Sequence, residues 1–277
     1  MLAEVGSKYA GVLIGLAAVV APLTLLELLL PRQTRLPLAR RAKGAMFWVL
    51  YAVLGVVILT LMDRLWTPLG VRPLVHAQLQ AALGWTGPLA PWIAALAAIV
   101  VTDFFGYWFH RLQHGPLWRF HKIHHAIRDV TAVNSYRHVA DEAFQYVAMT
   151  IPLSLIDLGP VATPLLVVGF MQMQAFFLHC DTRLGYGPFG WLFSDNHYHR
   201  VHHSLEPRHF NRNFGTVTTI WDRVFGTAYF PAKEEWPATG LVDEPEPADL
   251  VAYFVAPFRR RQDDAALAEL GRSPSAP

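Results

Sequence analysis

Four stretches of about 20 almost uncharged residues constrain this chain more than any other feature. Residues 9–30, YAGVLIGLAAVVAPLTLLELLL, are interrupted only by Glu27, and residues 45–62, AMFWVLYAVLGVVILTLM, carry no charge. Residues 83–102 and 158–178, the latter reading LGPVATPLLVVGFMQMQAFFL, complete the set. A helix rises about 1.5 Å per residue, so roughly 20 apolar residues cross the ~30 Å hydrocarbon core of a bilayer. Each run is therefore read as a spanning helix. A shorter run, AFQYVAMTIPLSLI at 143–156, reads as a shallow or tilted arm that turns at Gly159-Pro160 and pairs with the run behind it as a hairpin. The first run is too long for a removed signal peptide and lacks a basic leader and a small-residue cleavage site. The expectation is an all-α fold, an integral membrane bundle of about four spanning helices, one of them in a hairpin.

Charge supplies the orientation. With the 31–44 loop in the cytoplasm, 20 Lys and Arg residues fall inside and three, Lys8, Arg64 and Arg72, fall outside, as the positive-inside rule requires. The same layout leaves only His76 of the 13 histidines outside. Composition agrees with a lipid environment: 16% of residues are charged, against about 25% in soluble domains. A net charge of +2, with no basic block interleaved with aromatics, argues against nucleic acid. Cys180 is the sole cysteine, which precludes an internal disulfide and any cysteine-based zinc site. A bound metal would have to rely on histidine and carboxylate.

Histidine is where the sequence is specific. HRLQH (His110, His114), HKIHH (His121, His124, His125) and HRVHH (His199, His202, His203) form three clusters, and H-x-x-H-H occurs twice. At this composition roughly 0.03 such matches are expected by chance, so two are a signal. On a helix, positions i, i+3 and i+4 share a face, so each cluster aims its imidazoles at one region. Eight imidazoles exceed the needs of one tetrahedral metal and suit two metals with open positions. His76 and His209, which stand alone, read as structural. Asp103 lies two helical turns before His110 at the edge of an apolar run, where an ionised group is expensive. Two readings stand for it: a carboxylate that hydrogen-bonds a ligand histidine from behind, or an interfacial ion pair with Arg111 or a neighbour.

DFFGYWFHRLQHGPLWRFHKIHH, HRVHH and NFGTVTTIWDRVFGT together resemble the membrane-bound fatty acid hydroxylase/sterol desaturase superfamily over about residues 85–230. The resemblance implies a cytosolic helical cap on the bundle, carrying a histidine-ligated centre of two iron ions. It also implies O2 as co-substrate and hydroxylation or desaturation of a lipid. It assigns His110, His114, His121, His124, His125, His199, His202 and His203 as ligands, adds His179 at the cytosolic end of the hairpin, and offers His138 by analogy with an Arg-x-His-Pro element. Here Arg137 and His138 are adjacent and no proline follows. His197 has no assigned role. WDRVFGT (221–227) reads as structural, closing the cap with a turn at Gly226.

The chain then divides into an N-terminal transmembrane pair and loop (1–82), a catalytic histidine-box region (83–230) and a C-terminal tail (231–277), all one membrane-embedded oxygenase domain. Within the acidic, proline-rich tail, LVAYFVAPFRRR reads either as a helix lying on the membrane surface or as one packed on the domain. The functional expectation is a membrane oxidoreductase using O2 and external electrons on a fatty acyl, sterol-like or related lipid, with zinc able to replace iron in purified protein. Electrons are expected from a separate ferredoxin, rubredoxin or cytochrome b5-type donor with its reductase, for which Arg119, Lys122, Arg128, Arg208 and Arg212 offer a basic face. The expected location is a multi-pass protein of the bacterial inner membrane or endoplasmic reticulum, with its site facing the cytoplasm. The competing class is a histidine-rich metal-binding or transport protein, but transporters hold their ions near the membrane midplane at helix breaks. A zinc hydrolase would show H-E-x-x-H, which is absent.

Overall fold

The computed structural model describes residues 2–33, 36–76, 89–157, 164–242 and 244–259. Helices α1 (Leu2–Leu29) and α2 (Leu38–Trp66) pack against each other as the N-terminal pair. Helix α3 (Ala90–Gln113) returns toward the histidine end and breaks at Gly115-Pro116 into α4 (Trp118–His125). After a loop, α5 (Ala140–Gln145) runs through a π-helical turn at Tyr146–Thr150 into α6 (Ile151–Ser154), and α7 (Pro164–Phe177) comes back. Three short helices follow: α8 (Asn196–His202), α9 (Ile220–Val224) and α10 (Leu250–Val255). The one sheet among the described residues pairs β1 (Val75–His76) in parallel with β2 (Ile156–Asp157). It ties the loop after α2 to the tip of the α6–α7 hairpin, at the end of the bundle away from the histidine clusters.

Among the described residues, three helices are long and apolar enough to cross a membrane, at Tyr9–Leu29, Leu38–Leu69 and Trp92–Gln113. Their outward side chains are those of a membrane protein: Ile14 and Leu25 on α1 are 69% and 56% exposed, and Leu61 and Leu65 on α2 are exposed as well. The fourth expected span is helical over the 14 residues of α7, while 158–163 lie outside the described residues, as do 83–88 of the third run. With α5–α6, α7 forms the expected hairpin.

The core explains how this bundle holds the histidines. Phe47, Trp48 and Tyr51 of α2 pack with Ile123 and Ile127 around α4, Tyr136 of the following loop and Phe176 of α7. Phe47 stacks on Tyr136 with centroids 4.4 Å apart and on Tyr253 of α10 at 5.0 Å. At Gly44 the 133–134 backbone comes so close that a Cβ would lie 2.4 Å from the Val133 carbonyl oxygen. Glu27, the one charge in the first apolar run, is fully buried. It pairs with Arg41 of α2 and accepts hydrogen bonds from the main-chain N–H groups of Ala132 (2.8 Å) and Asp181 (3.0 Å). A buried carboxylate needs such partners, and these fasten α1 to both loops that flank the histidine cluster.

The acidic segment after 231 is folded onto the cap. Glu244 pairs with Lys122 at 2.6 Å, Glu246 with Lys43 at 3.2 Å, and the Thr239 hydroxyl donates to the Arg128 carbonyl at 2.6 Å. Its charges neutralise cations of the cap rather than keeping the segment in water. Lys122 is consequently buried and cannot belong to an exposed basic face. Helix α10 packs on the domain, with Tyr253 buried, while Val251 and Phe258 just beyond the helix point outward.

Candidate metal centre

Nine histidines on four helices or at their ends converge where α3, α4, α7 and α8 meet. They form two groups whose ligand nitrogens all lie within 4.8 Å of one another: His110, His114, His121, His125 and His202 in one, and His124, His179, His199 and His203 in the other. The repeated pattern now has an explanation. In HKIHH the i and i+4 residues, His121 and His125, enter the first group and the i+3 residue, His124, enters the second. In HRVHH this is reversed, with His199 and His203 in the second group and His202 in the first. Each five-residue pattern thus straddles both groups, and the stacked rings of His125 and His203, 4.4 Å apart, join them.

Local structure sets the aim of each ring. His110 ends α3 and His114 caps it; Asp195 caps α8 by accepting the Tyr198 N–H at 3.0 Å, which starts the helix one residue before His197. Main-chain carbonyls then fix individual imidazoles. The Nδ1 atoms of His110, His124, His179 and His202 face the carbonyl oxygens of Phe214 (2.9 Å), Tyr136 (3.3 Å), Ala175 (2.7 Å) and Arg212 (2.8 Å). A carbonyl only accepts, so each Nδ1 carries the proton and each Nε2 is a bare lone pair. Those Nε2 atoms are turned on one another: His124 to His179 and His179 to His199 at 3.1 Å, His114 to His125 at 3.0 Å and His114 to His202 at 3.1 Å. Between His124 and His179 there is no proton to share, and two lone pairs at 3.1 Å repel unless a cation lies between them. Ligands at right angles around a metal, at about 2.1 Å each, would sit roughly 3.0 Å apart, so the observed spacing fits a metal.

The electrostatics point the same way. Burial above all, and then neighbouring imidazoles, lowers His121, His124, His125, His199 and His203 well below the ordinary histidine range. His114 and His202 are lowered for the same reasons, and burial takes His179 to about 3. These imidazoles are neutral at any physiological pH.

The other candidates lie elsewhere. His138 belongs to neither group: its Nδ1 accepts the Ala140 N–H at 3.2 Å and its ring stacks on Tyr253. Its position on the turn into α5 faces it toward the tail helix. His197 contacts the Glu235 carbonyl and Trp236, and His209 lies between the Ser204 hydroxyl (2.8 Å) and Glu235 (3.1 Å). His76 pairs with Asp157 at 3.2 Å, on the exposed sheet.

Asp103 fits neither reading offered by the sequence. No histidine and no arginine touches its carboxylate among the described residues. It accepts instead from the Val217 and Thr218 N–H groups (2.9 and 3.0 Å) and from the Thr216 and Thr218 hydroxyls (3.2 and 2.7 Å). Asp222 does the same for the adjoining residues, taking the N–H groups of Phe214 (2.9 Å) and Gly215 (2.7 Å) and the Thr227 hydroxyl (2.6 Å). Two buried carboxylates thus hold the 214–218 segment whose Phe214 carbonyl orients His110. Asp222 was missed as a functional residue, although it lies within NFGTVTTIWD. Gly226, at φ +72°, makes the turn expected there.

Beside the centre lies a cavity of about 170 Å³, walled by Trp48, Phe109, Met149, Met171, Phe176 and Leu178 and floored by His110, His121, His124, His179 and His199. The π-helical turn brings Gln145 and Met149 to the same cavity; such turns are frequent at functional sites.

A membrane helix bundle that gathers nine imidazoles, seven buried and two half-buried, as metal ligands are gathered, next to an apolar cavity, defines a class of histidine-box membrane proteins. Residues 95–227 match the fatty acid hydroxylase family, and the chain carries a fatty acid hydroxylase domain there. An ornithine lipid hydroxylase of Rhizobium tropici is 31% identical over 166 residues, 59% of this chain and 50% of the relative. An alkylglycerol monooxygenase of Homo sapiens is 29% identical, covering 57% of this chain and 34% of the relative. A delta(7)-sterol 5(6)-desaturase of Aspergillus fumigatus is 30% identical, covering 53% and 41%. The chain thus spans half or less of the length of these relatives. No solved structure matches it significantly.

Proposed function

We propose that this protein oxidises lipid C–H bonds in the membrane, hydroxylating or desaturating an acyl, sterol-like or related lipid with O2 and externally supplied electrons. The observation that carries the reading is the pair of Nε2 lone pairs of His124 and His179 held 3.1 Å apart beside an apolar cavity. His110, His114, His121, His125 and His202 would hold one iron ion, and His124, His179, His199 and His203 the other. Iron on nitrogen ligands with open positions supplies the O2 chemistry that no amino-acid side chain offers. The protein's own part is to keep the imidazoles neutral by burial, fix their rings through main-chain carbonyls, exclude water and lay a hydrocarbon segment along the cavity wall. Hydroxylation consumes O2, two electrons and two protons, inserts one oxygen atom into the C–H bond and releases water. Desaturation consumes the same inputs, removes two hydrogens from adjoining carbons and releases two waters.

The relatives, named as hydroxylase, monooxygenase and desaturase of lipids, support this class. The transporter reading fares worse because both groups lie at and beyond the end of α3 rather than at a mid-membrane helix break. A separate ferredoxin, rubredoxin or cytochrome b5-type protein would deliver electrons at the cytoplasmic face. That face follows from the 20-to-3 division of basic residues.

The test uses the full chain expressed with iron. Elemental analysis is expected to give two metal ions per chain, lost on replacing His121, His124 and His125 with Ala. Zinc in a preparation would not count against iron, since zinc competes for nitrogen ligands. Lipids from cells expressing the chain under 18O2 are expected to carry labelled hydroxyls or new double bonds. One metal per chain, or an unchanged lipid profile with donor and reductase supplied, would overturn the proposal.

A further inference from the structure

The cavity wall contains a cation that the chemistry above does not use. Arg137 lines the cavity together with His121, His124 and His179. Its backbone is pinned, since Tyr253 donates its hydroxyl to the Arg137 carbonyl at 2.8 Å. Its side chain is half-buried, with the guanidinium 5.8 Å from the centre of the Tyr51 ring. Among the described residues no carboxylate forms an ion pair with it. Asp141 and Glu142 are near enough for their fields to act on it, but Asp141 is engaged by Gln113 at 3.2 Å, and burial raises its carboxyl to about 6 despite the Arg137 charge. The arginine is close to the centre in electrostatic terms: after burial and neighbouring imidazoles, its charge further lowers His121 and His124.

The same wall holds more hydrogen-bonding groups than a hydrocarbon slot needs. Gln145 and Gln172 line it beside Arg137, together with Gln113, whose amide already donates to Asp141, and Ser135, whose hydroxyl already donates to the Ala132 carbonyl. A pure methylene chain filling this space would strip water from a guanidinium and two amides and return nothing, at a high desolvation cost. An oxyanion would instead receive charge-assisted hydrogen bonds from arginine's fork, which are roughly twice as strong as neutral ones.

We infer that Arg137, with the neighbouring glutamines, recognises an oxyanion at the polar end of the substrate, so that the oxidised carbon lies near the lipid's head rather than at mid-chain or at the methyl end. The inference rests on the lipid-oxidase reading and narrows its substrate to amphiphiles bearing a carboxylate or a phosphate. Arg137 is a specificity residue here and takes no part in the redox step.

The test is a binding measurement on zinc-loaded full-length chain in detergent, so that it does not depend on turnover. Tritiated hexadecanoic acid and tritiated hexadecanol are used as probes in scintillation proximity, with unlabelled hexadecyl phosphate as competitor. Wild type is expected to bind the acid at least about tenfold more tightly than the alcohol at equal chain length. Competition by hexadecyl phosphate separates the sources: equal potency means any oxyanion is accepted, and much weaker potency restricts the site to carboxylates. Arg137→Gln is expected to bind acid and alcohol alike, and Arg137→Lys to keep part of the preference. Equal wild-type affinity for acid and alcohol overturns the inference, even if Arg137→Gln fails to fold. So does an acid preference that survives intact in a folded Arg137→Gln. Neither outcome bears on whether lipids are oxidised, which the labelled-oxygen experiment decides separately.

Discussion

Replacing Asp103 with Asn separates two roles for a carboxylate buried in a membrane helix. Both of its oxygens are occupied: Oδ1 takes the Val217 N–H and the Thr216 hydroxyl, and Oδ2 takes the Thr218 N–H and hydroxyl. Whichever way an asparagine is placed, its NH2 meets one main-chain N–H, and two donors then face each other. A buried donor left without a partner costs about 1–3 kcal/mol, and the remaining bonds lose their charge assistance. Relief from burying a charge offsets part of this. The net expectation is about 2–3 kcal/mol of lost stability, or roughly 5–10 °C in apparent Tm for a chain of this size. Because unfolding of a membrane protein is rarely reversible, the readout is the midpoint of heat-induced loss of the monodisperse peak on size exclusion, compared at one heating rate. Metal bound per folded chain is measured on the surviving fraction and is expected to stay within about threefold of wild type, since no histidine touches Asp103. A wild-type midpoint together with the 10–100-fold loss of metal affinity typical of a group behind a ligand would refute this reasoning.

Asp222→Ala should act on the centre more directly, because it frees the Phe214 and Gly215 N–H groups and with them the carbonyl that orients His110; metal affinity should fall about 10–100-fold, read by competition with a chromophoric chelator. Gly44→Ala should destabilise by several kcal/mol, since its Cβ would meet the Val133 carbonyl at 2.4 Å and backbone cannot swing aside; wild-type thermal behaviour would contradict the close approach. The metal-free chain should lose stability on acidification. His121, His124, His125, His199 and His203 have folded pKa values below the unfolded value of about 6.5, and His179 lies at about 3. The unfolded state therefore binds more protons, so stability is full above about pH 6.5 and falls as pH drops toward 3. A melting midpoint that is flat between pH 7.5 and 5 would show these imidazoles already charged or exposed.

Much of the site was legible because its chemistry is written in spacing. The i, i+3, i+4 pattern declared which residues share a face, and the apolar runs declared where α1, α2 and α3 would lie. Spacing could not show that the i+3 histidine of each pattern crosses to the other group, because that depends on how α4 and α8 are placed across the cluster. Asp103 was singled out for its cost in lipid, which was sound, but its partners are more than a hundred residues away and carry no local signal. Asp222 and the carbonyls of Phe214, Arg212, Ala175 and Tyr136 were missed for a related reason: main-chain acceptors have no sequence signature. His138 was suggested by its neighbour Arg137, and it is that neighbour which reaches the cavity. The acidic, proline-rich segment gave no sign of what it packs on, because its partners, Lys43, Lys122 and the Arg128 main chain, lie far upstream.

The buried Glu27 has a consequence for how the molecule comes into being. Of its partners, Arg41 emerges from the ribosome soon after it, whereas the N–H groups of Ala132 and Asp181 are made about 100 and 150 residues later. Until then the first helix carries a half-satisfied carboxylate near its C-terminal end and has reason to stay loosely docked beside α2. Helix α1 can lock in place only once the loop after HKIHH and the residue just beyond His179 have arrived, so a helix made ahead of α2 is among the last to settle. Assembly order is thereby coupled to completion of the histidine-bearing half, and a chain interrupted before residue 181 is left with a charged, unfastened α1 for quality-control proteases to find.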